Sequence, residues 1–193
     1  ESLQLTLDYA TQRAAEDAIA DVALPVALVA IDSRTGAVRA VANNPSGFDR
    51  ALLGEDAPGS TFKIVTASGI LAAGVEPEQI LPCPYETRPG DSAPFTNAFG
   101  EDYGDLPFID TFAKSCNTTF VDQGYQLGPT RLLETAETFG FNQTYSLGVP
   151  AEFGSFPLPE SDTETGAASI GQGRVSVTPL HMATVAAAAY DGT

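Results

Sequence analysis

The chain has 193 residues, 43% of them hydrophobic, enough for one ordinary core organised as one domain or two closely joined subdomains. With 25 acidic against 9 basic side chains, its formal net charge of -16 repels polyanions and leaves no basic stripe for phosphates, which argues against nucleic acid as a partner. No run of about 18 apolar residues is present to span a bilayer, and a secretory leader can be removed by processing, so the start at Glu1 leaves the compartment open.

Leu3, Leu5 and Leu7 alternate with polar residues, as in a short strand. Asp8 is placed to cap a helix from Tyr9 to Asp21, a run rich in Ala, Gln, Arg and Glu without Gly or Pro. Val26 to Ile31 and Ala37 to Ala42 are apolar, β-compatible runs joined by Asp32-Ser33-Arg34-Thr35-Gly36, which predicts a hairpin. Asn43 to Gly59 has the composition of a loop, and Pro58-Gly59 stops just before a helical run from about Ser60 to Gly74. Between Pro77 and Pro107, prolines and turn formers predict a long irregular connection. Helical patterns return at Phe108 to Lys114, Thr119 to Leu127 and Thr130 to Phe139, the last two closed by Gly128 and Gly140. Thr178 and Pro179 suit the cap and first residue of an alanine-rich helix reaching Tyr190.

Two constellations can carry chemistry. Ser60 and Lys63 sit three residues apart where a loop becomes a helix, a spacing that puts amine and hydroxyl on one face. A serine becomes nucleophilic when a neighbouring base takes its proton, and a lysine is such a base if burial disfavours its ammonium form. The plain alternative is a capping serine followed by a surface lysine. The chain has only two lysines, Lys63 and Lys114, and Lys63 lies among Phe62, Ile64 and Val65. The second constellation is Ser115-Cys116-Asn117, in a break between helical patterns. Ser115 and Asn117 can face one side and Cys116 the other, a hydroxyl serving as proton relay and an amide holding a carbonyl or an ammonium. Its alternative is a helix start with Ser115 or Asn117 as the cap. Cys83 and Cys116 are compatible with one disulfide or with two buried thiols.

The stretches PGSTFKIVTA, FAKSCNTTF and IGQGRVSVTPLHMA, in that order, together with the opening LTLDYATQRAAEDAI and AIDSRTGAVRAVAN, resemble the transpeptidase domain of penicillin-binding proteins, of a class B-like actinobacterial type. The resemblance implies an α+β fold, an antiparallel sheet flanked by helices with a mostly helical subdomain. It divides the chain into a mixed part, 1–75 with 165–193, and a helical and loop part, 76–164. It implies a D,D-transpeptidase in which Ser60 attacks the penultimate D-alanine carbonyl of a peptidoglycan stem peptide and Lys63 takes its proton. Ser115 passes a proton to the departing D-alanine, Asn117 orients Lys63 or the substrate amide, and the Ser60 N–H is half of an oxyanion hole. The same resemblance implies β-lactams trapped on Ser60, no metal or cofactor, cell-wall synthesis or division proteins as partners, and a membrane-anchored parent acting outside the cytoplasm. It implies a structural role for His181 and a Cys83–Cys116 bridge. The family's Lys-Thr-Gly motif does not occur and no Lys follows Lys114, so a C-terminally incomplete, poorly acylating unit is expected. The competing readings are a serine β-lactamase, for which no Glu-x-x-Leu-Asn element is found, and a β-lactam sensor or inactive wall-binding domain.

Overall fold

The structure is a computed structural model, and residues 4–192 of it are described. The described residues fall into two compact units, one built from the residues up to Asp56 with Asn142–Gly154 and those from Val177 onwards, the other from Ala57–Phe141 and Ser155–Ser176.

In the first unit α1 (Tyr9–Ile19) begins at Asp8, whose carboxylate accepts the Thr11 N–H at 2.8 Å. β1 (Val26–Ile31) and β2 (Val38–Asn44) form the expected antiparallel hairpin, and Gly36 takes the positive φ of 68° that its turn requires. Every second residue of the hairpin, Val26, Leu28 and Ala30 on β1 with Ala40 and Ala42 on β2, packs on Ala15 and Ile19 of α1. Leu5 and Leu7 are exposed and form no strand, since the backbone here offers β2 a single bond, Asp8 N–H to Arg39 O; Leu3 lies outside the described residues. The expected loop from Asn43 contains a short helix, α2 (Arg50–Leu53), capped by Asp49.

In the second unit a 3-10 turn, Gly59–Phe62, leads into α3 (Lys63–Ala72). The stretch expected to be irregular holds two small antiparallel ladders: β3 (Ile80–Cys83) and β4 (Glu86–Thr87) pair with β6 (Gly104–Pro107) and β5 (Phe95–Thr96) respectively. Their two to four residues, prolines included, are too few to show an alternation in sequence. α4 (Phe108–Ala113), α5 (Asn117–Leu127) and α6 (Pro129–Thr138) follow as predicted, with Gly128 and Gly140 at positive φ after the last two. α7 (Asp162–Ser169) was not anticipated, although Ser161 caps it and Glu164 reaches back to the Glu160 N–H at 2.9 Å. Residues 57–75 and 165–176, expected with the mixed part, pack here in the helical unit, tied by Gly59 N–H to Gly171 O at 2.8 Å and Thr66 Oγ1 to Ser169 O at 2.8 Å. The core gathers Ala67, Ile70, Leu81, Phe108, Phe120, Val121 and Ile170.

The alanine-rich helix α8 (Pro179–Asp191) returns to the first unit, packs on β1, and starts at Thr178, whose hydroxyl accepts the His181 N–H. The mixed, antiparallel α+β character expected from the sequence is thus present in the chain. Among the described residues no helix is long and apolar enough to cross a membrane.

Candidate active site

The second unit carries both constellations. Phe62 is fully buried, stacked on Phe156 at 5.4 Å between centroids and edge-on to Phe141 at 5.3 Å, and this aromatic anchor fixes the backbone between Ser60 and Lys63. Ser60, two residues earlier, faces solvent. The turn holding it is 3-10 and not α, a geometry in which side chains three apart fall on one side, and Lys63 follows it directly. The turn is held from outside by Gly171: a Cβ there would stand 2.3 Å from Gly59 O and 2.6 Å from Phe62 Cβ, so only glycine permits this approach.

Lys63 is 2% exposed, and its amine donates to Ser115 O at 2.7 Å, Ser115 Oγ at 3.0 Å and Asn117 Oδ1 at 2.7 Å. Nζ also lies 5.4 Å from the centre of the Phe120 ring. All three acceptors are neutral, so the loss of hydration of the ammonium prevails, and burial pulls the Lys63 pKa from 10.5 down to about 8. Ser115 adopts a left-handed φ of 54°, rare for a non-glycine residue, and turns its carbonyl and its hydroxyl toward the same amine. Cys116 points the other way, fully buried and disulfide-bonded to Cys83, while its sulfur caps α5 by accepting the Thr119 N–H at 3.3 Å.

The arrangement matches both protonation states. An ammonium has three protons for three acceptors. A neutral amine has two, enough for the obligate acceptors Ser115 O and Asn117 Oδ1, and its lone pair is left to take a proton from a hydroxyl. The structure therefore joins Lys63, Ser115 and Asn117 by direct hydrogen bonds. Ser60 is brought to them by the chain, as the exposed residue one turn before Lys63, without a hydrogen bond to the amine.

His181 belongs to the first unit. It is buried, its Nδ1 accepts the Gly154 N–H at 2.7 Å, and Phe153 packs on it edge-on. Among the described residues no three His, Cys, Asp or Glu side chains are arranged to hold a metal ion.

Residues 26–193 match the family described as penicillin binding protein transpeptidase domain. The chain is 38% identical over 159 residues to the peptidoglycan D,D-transpeptidase PbpA of Mycobacterium tuberculosis, which covers 78% of this chain and 32% of that protein. It is 30% identical over 223 residues to the peptidoglycan D,D-transpeptidase MrdA of Acinetobacter baumannii, covering 96% of this chain and 33% of that one. Among solved structures, an imipenem acyl-enzyme complex of penicillin-binding protein A from M. tuberculosis superposes with a TM-score of 0.88 at 28% identity, over 95% of this chain and 50% of that chain. The chain belongs to the penicillin-binding protein transpeptidase domain family. It spans about a third of the length of these curated relatives.

Proposed function

We propose that the chain supplies the nucleophile and general base of a serine D,D-transpeptidase that cross-links peptidoglycan stem peptides ending in D-Ala-D-Ala. The observation that carries this reading is the buried, carboxylate-free Lys63, held by Ser115 and Asn117 at the start of the helix that follows Ser60. The neutral amine takes the Ser60 proton as Oγ attacks the carbonyl carbon of the penultimate D-alanine. The tetrahedral oxyanion collapses, the C–N bond to the terminal D-alanine breaks, and the leaving nitrogen collects a proton through Ser115. An amine of a second stem peptide then displaces Ser60 and closes the cross-link. β-Lactams enter the same sequence, and their ring amide opens onto Ser60 without a departing fragment.

The reading gains support from the names of the relatives and from the acyl-enzyme complex of the M. tuberculosis protein. The substrate is cell-wall polymer, so we infer action on the extracytoplasmic side of a membrane-anchored parent, with cell-wall synthesis or division proteins as partners. The test is labelling of the full-length protein with a fluorescent penicillin, followed by peptide mapping. The label should sit on Ser60 and vanish in Ser60→Ala, whose fold should survive because an exposed hydroxyl is all that is lost. Label persisting on another residue contradicts the assignment. A long-lived adduct further separates a transpeptidase from a β-lactamase, which releases product quickly.

A further inference from the structure

The orientation of the Asn117 amide decides whether Lys63 meets an oxygen or an NH2 group, and a backbone carbonyl on its far side fixes it. Asn117 Nδ2 donates to Thr96 O at 3.0 Å, an obligate acceptor, and this leaves Oδ1 facing Lys63. One residue on, the Thr118 N–H donates to Asn97 Oδ1 at 3.1 Å. Asn97 is 5% exposed, and its Nδ2 donates to Pro84 O at 2.9 Å and Glu101 O at 3.0 Å. The chain bends back to present Glu101 O through two successive left-handed residues, Phe99 at φ 59° and Gly100 at φ 72°. Phe99 is fully exposed and gains no packing from that conformation; the bend is closed by Gly100 N–H to Asn97 O at 3.3 Å and Glu101 N–H to Ala98 O at 3.5 Å, and it encloses the Asn97 amide.

We propose that Asn97 is a positioning residue for Lys63: by fastening Thr96 and Thr118 across the start of α5, it keeps the oxygen of the Asn117 amide turned toward the amine. This rests on the role proposed above for Lys63. Loss of the clamp lets Asn117 rotate, and a misplaced base slows proton removal without altering how substrate binds first.

The test uses the full-length protein, with stopped-flow acylation by a fluorescent penicillin and thermal melting of Asn97→Ala, Asn97→Asp and a core control, Leu132→Ala, whose side chain is buried in α6. Asn97→Asp keeps an oxygen for the Thr118 N–H but loses both donors, so it carries the structural damage with the clamp retained. In Asn97→Ala the acylation rate constant should fall by about tenfold or more, with binding before acylation held within about twofold. Asn97→Asp should recover most of that rate although it melts early, and Leu132→Ala should melt early at the wild-type rate. Asn97→Ser, too short to reach Thr118, replaces the alanine variant if the latter does not fold. A rate that simply follows melting temperature across the set, or a fast Asn97→Ala, overturns the proposal. Lys63→Ala run alongside separates the two readings. If it acylates normally, the role of Lys63 falls and the clamp's role falls with it. If it is inactive while Asn97→Ala is fast, only the positioning role falls.

Discussion

Lys63 and His181 are each a buried titratable side chain, 2% and 1% exposed, one in each compact unit, and their surroundings differ in kind. His181 Nδ1 accepts from a backbone N–H and its ring meets an aromatic edge, the contacts of a side chain packed into a core. Lys63 meets three neutral oxygens on a turn whose Ser115 and Asn117 remain half-exposed, an environment suited to an ammonium in hydrogen bonding and hostile to it in solvation. Burial alone therefore does not mark chemistry. What sets Lys63 apart is a pKa pulled down to about 8, one turn after Ser60, the nucleophile proposed above.

The contrast breaks most sharply at Lys63. Lys63→Ala should lower penicillin acylation by on the order of 100-fold or more through loss of the base, as measured by rate constants at saturating label. Unchanged kinetics would make Lys63 a structural residue like His181. Next in size is the disulfide. Cys83→Ala with Cys116→Ala should destabilise by about 2–4 kcal/mol in denaturant unfolding, since the bridge closes a loop with a sequence separation of 33. Acylation should also slow, because Cys116 sits between Ser115 and Asn117; an unaffected rate would show that the turn holds its shape without the bridge. The smallest effect on chemistry belongs to His181→Ala, which orphans the buried Gly154 N–H and should cost about 1–3 kcal/mol of stability while leaving the acylation rate of the folded protein unaltered. A specific loss of rate there would remove the distinction between the two sites.

What the sequence made legible was local. Asp8 and Thr178 announce helix starts through their side-chain oxygens, Gly128 and Gly140 announce helix ends through their backbone freedom, and the hairpin announces itself through two apolar, β-compatible runs and the turn between them. Ser60, Lys63, Ser115 and Asn117 are weak signals by type and spacing alone, and stood out through the ordered motifs that resemble the transpeptidase family. Features set by distant contacts did not. Nothing near Asn97 in sequence reveals that it bonds Thr118, twenty-one residues away, and the glycine requirement at Gly171 exists only because Gly59 packs against it. The left-handed φ of Ser115 had no local signal either, since Ser is not a residue type that prefers it. α7 is the exception, missed despite the capping pattern Ser161 to Glu164 being written in the chain.

The central claim is that Lys63 works as an uncharged base, and the pH dependence of acylation tests it most directly. Its pKa is lowered on folding from 10.5 to about 8, so folding disfavours the protonated form by about 3 kcal/mol; this penalty applies in full below pH 8 and fades between pH 8 and 10.5, where stability therefore rises with pH. The neutral fraction moves in the same direction. The acylation rate constant of the full-length protein should rise about tenfold per pH step below a midpoint near 8 and level off above it, with the rise absent in Lys63→Ala. A profile that is flat from pH 6 to 9, or one that keeps rising toward the ordinary lysine value of 10.5, would contradict the account.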